Sequence, residues 1–443
     1  MKTPPRSRAA AQARAGHSAV TRRVQLPLQE YLHMEGLGGA ALVVAAVIGA
    51  VWANSPWAHG YEVLWTTPIH LTVGAWTLDL DLHHVVNDGL MAIFFFVVGL
   101  EIKRELIEGA LSDVRRAALP ALAALGGMVV PAGLYVLLAG GGEAASGWGI
   151  PMATDIAFAI AVLSLTGVPH DVRILLLALA VVDDLAAILV IAIFYSTGFS
   201  MAAAAIAALC LVVIYLLQRA GFRHVSVYAV VGIVMWVAML ESGIHATIAG
   251  VLLGAITPHR ALFPHAAFTS GLHRLNDELK RAAANQDHDA IEGIAAHVEQ
   301  VAYESESPLE RAQRYFHPWS SFVVLPLFAL ANSGVELSAA AIQEAMRTAA
   351  AYGVMVGLVV GKPLGILVFS WAAVRIGVAS LPEGLRWRHV AGVGVLAGIG
   401  FTVSIFITDL AFTDPALVQA AKVGIFAASL IAAVLGWLAV RKA

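Results

Sequence analysis

The chain has 443 residues, of which 59% are hydrophobic and only 13% charged. Soluble domains carry about 25% charged residues, so a mean hydropathy of +0.79 excludes an ordinary soluble fold and predicts a polytopic membrane protein. The single cysteine, Cys210, excludes an intrachain disulfide framework, while a formal net charge of −3 identifies no partner and no nucleic-acid binding is expected.

Residues 1–35 contain Arg6, Arg8, Arg14, Arg22 and Arg23 but no apolar core before Leu37, so they read as a basic cytoplasmic tail, not a signal peptide. From there, apolar runs of about 17–25 residues between charged or turn-forming breaks mark transmembrane helices. They predict an all-α protein with twelve spans, near residues 36–54, 83–107, 117–138, 147–166, 173–196, 201–218, 224–240, 243–257, 313–334, 351–374, 389–412 and 417–440. Spans 1–8 thus occupy 36–257 and spans 9–12 occupy 313–440. The external loop 55–82 includes a stretch, 73–80, that alternates like a short strand. The cytoplasmic insert 258–312 is acidic (Asp277, Glu278, Asp287, Asp289, Glu292) and is expected to form one or two amphipathic surface helices. With the N-terminus in the cytoplasm, all but three of the 27 Lys and Arg fall on that side or in the termini. Arg347 and Lys422 fall on or near the opposite side and Lys362 lies inside a span, an asymmetry that predicts both termini inside.

The spans contain groups that hydrocarbon does not tolerate. Asp183 and Asp184 sit side by side at the centre of the run from Arg173 to Ser196, which as a helix is roughly 33 Å long. Each such charge costs roughly 2.5–3.5 kcal/mol on insertion scales, and nothing about folding rewards the placement. Lys362, flanked by Gly361, Pro363 and Gly365, is central in span 10, too deep to snorkel well to the headgroups. Asp155 lies in span 4 after a Gly-rich stretch and Pro151, and span 11 carries Gly394, Gly398 and Gly400. Both spans read as interrupted helices, tolerated at membrane depth only inside protein or beside a water-filled cavity. Each is the middle helix of a three-helix unit, spans 3–5 and 10–12. Those units start from opposite sides of the membrane and would be inverted repeats, with the ion site at their broken helices.

Carboxylates are hard oxygen ligands suited to a small hard cation such as Na⁺ or Li⁺. A carboxylate taken out of water also gains affinity for a proton, so a site that holds either a proton or a cation, but not both, exchanges them by competition. An ion-pair network serving packing alone is the bland alternative, yet one ammonium cannot satisfy two aspartates. Two other functions fit the sequence less well. A sodium-coupled symporter of an organic anion would need polar groups for an anion, for which the aspartate pair leaves little room. An intramembrane protease or lipid hydrolase would use paired carboxylates from different helices, whereas neighbours on one helix point about 100° apart.

Six ordered motifs now stand out: AsnAspGlyLeuMetAlaIlePhePhePheValValGlyLeuGluIleLysArgGlu (87–105), MetAlaThrAspIleAlaPheAla (152–159), AlaValValAspAspLeuAlaAlaIle (180–188), SerGlyIleHisAlaThrIleAlaGly (242–250), HisProTrp with LeuProLeuPheAlaLeuAlaAsn (317–332) and GlyLysProLeuGly (361–365). In them the chain resembles the NhaA family of bacterial sodium/proton antiporters over roughly residues 30–257 and 308–440. The resemblance implies a multi-pass inner-membrane exchanger of two protons for one Na⁺ or Li⁺, activated at alkaline pH and without a resident cofactor. It implies that spans 4 and 11 cross at mid-membrane. Asp184 would then be the principal carboxylate for the transported Na⁺ and protons, with Asp183 its neighbour and ion-paired to Lys362. Thr154 and Asp155 would stand at the crossing. Glu101, Arg104 and Glu105 would form a pH-responsive cluster near the cytoplasmic funnel, with Asp88 further along the same helix. His317 is retained in its motif, and His245 would mark a pH-linked position at the opposite end. The external strand would be part of a hairpin that joins a homodimer in the lipid bilayer. One departure is clear: where the family carries an acid and a histidine before HisProTrp, this chain has Gln313 and Arg314, which removes a titratable group and adds a fixed positive charge.

Overall fold

The computed structural model describes residues 36–441 apart from 75, 197, 223–224, 262–264 and 383. The expected N-terminal tail lies outside the described residues. Among the described residues, seven helices are long and apolar enough to cross a membrane, or nine if each of two bent pairs is one span. The seven are α1 (Gly36–Ala53), α3 (Leu82–Ile107), α4 (Val114–Ala139), α6 (His170–Phe194), α7 (Met201–Arg219), α15 (Ala349–Arg375) and α18 (Pro415–Arg441). The first bent pair is the 3₁₀ segment Glu143–Met152 with α5 (Ile156–Ser164), the second α16 (Trp387–Ala397) with α17 (Phe401–Ala411). The remaining expected spans fall on the shorter helices α8 (Val225–Ser242) and α9 (Thr247–Ile256), and on α12 (Pro308–Trp319) continued by α13 (Leu325–Asn332).

Outside these lie α2 (Ala58–Trp65), the hairpin of β1 (Pro68–Val73) and β2 (Trp76–Asp81), the short α14 (Ala339–Ala345), and α10 (His265–Ala284) with α11 (His288–Ser305) in the insert. The strands are antiparallel with Ile69 opposite Leu80 and Leu71 opposite Leu78. The expected strand is therefore only half of the sheet, and the loop holds a helix as well. Span 9 starts at Pro308, before the predicted residue 313, because Ser307 and Glu310 form a capping box around a proline at the first helical position.

The partition of side chains is inside-out. Val47, Val51, Val129, Leu137, Ile193 and Leu209 are exposed, while Asp155, Asp183, Asp184 and Lys362 are at most 3% exposed. Soluble proteins rarely expose contiguous apolar surface; here that surface faces lipid, and the molecule is a multi-pass membrane protein. Its helices approach closely where glycine allows. A Cβ on Gly365 would run into the carbonyl of Gly126 and one on Gly126 into that of Gly365, which locks α4 against α15. Three helices widen into π turns at Val85–Leu90, Ser320–Val324 and Gly357–Gly361, the last two beside Pro318 and Pro363, which lack a backbone N–H.

Candidate functional site

The two helix breaks meet. The first pair bends by 42° and the second by 46°, and Asp155 N donates to Ile399 O at 2.6 Å across the crossing. Broken helices leave unpaired N–H groups at two new N-termini and unpaired carbonyls at two new C-termini. Side chains named from the sequence satisfy them. Asp155 Oδ1 accepts from Phe158 N at 2.9 Å, capping α5, while Asp155 Oδ2 accepts from Thr402 N at 3.0 Å and Thr402 Oγ1 at 2.7 Å at the start of α17. One carboxylate thus caps two helix N-termini, where negative charge is favoured. At the facing C-termini, Lys362 Nζ donates to Met152 O, and the Thr154 hydroxyl proton is shared between Ala397 O at 3.0 Å and Asp183 Oδ2 at 2.6 Å. Positive charge and donors are favoured there.

The adjacent aspartates differ in their surroundings. Asp183 Oδ2 is held by Lys362 Nζ at 2.6 Å and by Thr154, whereas Asp183 Oδ1 is buried with no hydrogen-bond partner. Asp184 lies one residue further around α6 and lines a cavity of about 520 Å³ together with Asp155 and Thr402. Among the described residues Asp184 makes no hydrogen bond or ion pair. The open Asp184 carboxylate on the cavity wall, beside the unpartnered Oδ1 of Asp183, can take up a proton or a small cation.

Three comparisons with known proteins bear on this site. The family model described as Na+/H+ antiporter 1 matches residues 29–440. The chain belongs to that family. It is similar to the Na(+)/H(+) antiporter NhaA 2 of Myxococcus xanthus, 48% identical over 421 residues that cover 93% of this chain and 89% of that protein. It is also similar to the Na(+)/H(+) antiporter NhaA 2 of Sorangium cellulosum, 46% identical over 410 residues covering 92% and 88% of the two chains. Among solved structures, the sodium proton antiporter MjNhaP1 of Methanocaldococcus jannaschii aligns over 92% of this chain and 95% of its own, at 13% identity and a TM-score of 0.46. That last likeness is too remote to carry an argument.

In this member of the Na+/H+ antiporter 1 family, the remaining predicted residues divide into two groups. Glu101, Arg104, Glu105, Gln313 and His317 line the cavity wall, joined by Arg173. His317 Nε2 lies 4.0 Å from Glu101 Oε1, and Glu105 Oε2 accepts from Ala110 N at 2.9 Å, closing the end of α3. Asp88 is elsewhere, with His245 Nδ1 4.0 Å from its carboxylate and Trp236 Nε1 donating to its carbonyl at 2.9 Å. His245 also packs edge-on against Phe406 at 5.2 Å. Arg314 adds no positive charge to the cavity: its side chain is 71% exposed and pairs with Glu306 of the insert at 2.5 Å. Gln313 does face the cavity, because the two residues are about 100° apart on α12.

Sequence reasoning missed Thr402, the second anchor of Asp155, and a largely buried pair between Asp409 and Lys422 at 2.9 Å. A lone threonine in an apolar helix carries no signal of its partner. Lys422 was read only as a charge near the opposite surface.

Proposed function

We propose that this protein exchanges Na⁺ or Li⁺ for protons across the bacterial inner membrane, two protons per cation, with activity rising at alkaline pH. The observation that carries the reading is the inequality of the two aspartates: Asp183 has a lysine partner, while Asp184 is open to the cavity. A cation entering the cavity is coordinated by Asp184 and by the free oxygen of Asp183, and each proton held there must leave for it to bind. When the cation departs, Asp184 takes up one proton and Lys362, deprotonated while the cation is bound, takes up the second and pairs with Asp183 again. The similarity to Na(+)/H(+) antiporters of Myxococcus xanthus and Sorangium cellulosum supports the same reading. Glu101, Arg104, Glu105 and His317 set the field at the cavity wall and so the pH response, with Asp88 and His245 acting from the other half of the molecule.

The architecture that goes with this reading has twelve spans, inverted repeats in spans 3–5 and 10–12, and both termini in the cytoplasm. The funnel walls carry Arg104 and Arg173, in agreement with a cytoplasmic opening. Among the described residues the β1–β2 sheet has two strands and two unpaired edges, which supports a homodimer joined by edge pairing.

The test is an everted-vesicle assay in which Na⁺, Li⁺ or K⁺ is added to a preformed pH gradient. Na⁺ and Li⁺ should dissipate it, and Asp184→Asn should abolish the response at every pH. Undiminished exchange by Asp184→Asn would remove Asp184 from the central role.

A further inference from the structure

A second cavity, of about 530 Å³, opens at the other end of α3, with His83, Asn332 and Lys422 on its walls. His83 and Arg104, one on each cavity, are 21 residues apart on that helix, roughly 32 Å along its axis. A continuous polar chain runs inward from the second cavity. His83 Nε2 lies 3.1 Å from Asn332 Oδ1, Asn332 Nδ2 donates to Asn87 Oδ1 at 2.8 Å, and Asn87 Nδ2 donates to Asp409 Oδ2 at 3.3 Å. Lys422 Nζ closes the chain, 2.9 Å from Asp409 Oδ1 and 3.5 Å from Asn332 Oδ1. The Lys422 and Asp409 side chains are only 11% and 18% exposed.

Asp409 stands on the same helix as the ion site. It follows Thr402, the anchor of Asp155, by seven residues of α17, which is almost two full turns and roughly 10 Å of rise, so both lie on one face. Between them Phe406 packs on Phe95 and Phe328 at 5.5 and 6.4 Å and on His245. Phe95, Phe328 and Phe406 are buried and line neither cavity. A buried ion pair is seldom better for stability than apolar residues of similar volume, so packing gives no reason for a charged pair here. Its chemistry repeats that of Asp183 and Lys362: a carboxylate whose lysine counter-charge is replaceable by another cation.

We propose that Asp409, with the amide oxygen of Asn332, is a second alkali-cation station at the outer mouth of the transport route. An arriving Na⁺ takes the place of the Lys422 ammonium, which swings into the water of the cavity. Oxygen ligands suit such a cation, and one unit positive charge replaces another at the carboxylate.

This inference rests on the antiport reading, and the experiment separates the two. Radioactive Na⁺ uptake is measured in right-side-out and in everted membrane vesicles for the wild type, Asp409→Asn, Asp409→Glu and Lys422→Gln. Asp409→Asn should raise the Na⁺ KM about tenfold from the outer face and leave the KM from the funnel face unchanged. Asp409→Glu should restore the outer KM, and Lys422→Gln should lower it by removing the competing ammonium. An active wild type with Asp409→Asn shifted equally from both faces, or from neither, overturns the station and leaves the antiport reading standing. A fall in melting temperature without a sided KM change likewise reduces the pair to a packing element and overturns the station. A wild type that takes up no Na⁺ by exchange overturns both.

Discussion

Asp183 and Lys362 form an ion pair at 2.6 Å with both side chains fully buried, so each is the other's direct ionic partner. Removing one partner of a buried pair typically costs about 3–5 kcal/mol, because the other is left uncompensated. Lys362→Ala should therefore lower the melting temperature of the purified protein substantially in differential scanning fluorimetry. Asp183→Asn with Lys362→Met should recover part of that loss, and an unchanged melting temperature for Lys362→Ala would exclude the pair as a stabilising contact. The residues of this site were legible in the sequence, because an ionisable group deep in an apolar run has few reasons to be there. Their inequality was not. Asp183 and Asp184 are neighbours in identical surroundings along the chain, and only the position of α15 decides which one receives the ammonium. Asp409 and Lys422 escaped notice for the opposite reason: charges near span ends are common and cost little.

The interrupted helices show what can be read from a single element and what cannot. Gly398, Gly400 and Pro151 mark where the backbone can leave the helix, but the contact between the breaks, from Asp155 N to Ile399 O, requires both elements in place. Asp155 is the joint, since each of its oxygens serves a different half-helix. Loss of a cap typically costs about 1 kcal/mol, and Asp155→Ala removes two. Asp155→Asn keeps one acceptor oxygen and should fall between wild type and Asp155→Ala in melting temperature; equal losses for the two variants would refute the double cap. The hairpin is a similar lesson at its smallest scale. Alternation in 73–80 pointed to one strand, whereas the structure turns after Val73 and pairs Pro68–Val73, which alternates as well, with Trp76–Asp81. If that sheet joins two copies, deleting residues 68–81 should convert the dimer to a monomer in light scattering of the detergent-solubilised protein. A dimer that survives the deletion places the interface elsewhere.

Across the whole molecule, two cavities sit at opposite ends of α3. The funnel reaches Asp184 while the second cavity does not, which is the arrangement of a carrier open to one side at a time. The funnel wall also sorts the two family departures. Gln313 lines it and Arg314 pairs outside with Glu306. Gln313→His would add a group that titrates near neutral pH and should move the midpoint of the pH–activity profile by about 0.5 pH or more. Arg314→Ala should leave the profile in place. The reverse pattern would transfer the pH response from the cavity to the insert.

From the sequence alone came the membrane class, the order of the apolar segments, the two interrupted helices and four charged residues in hydrocarbon. These are legible because length and hydropathy act locally, and the cost of a buried charge makes it conspicuous wherever it occurs. Tertiary structure alone decided that Asp155 caps two helices, that Asp184 rather than Asp183 faces the funnel, that Arg314 lies outside it and that Asp409 meets Lys422. Each of those depends on a direction around a helix and on a partner distant in the chain, and neither is encoded in the composition or period of any single segment.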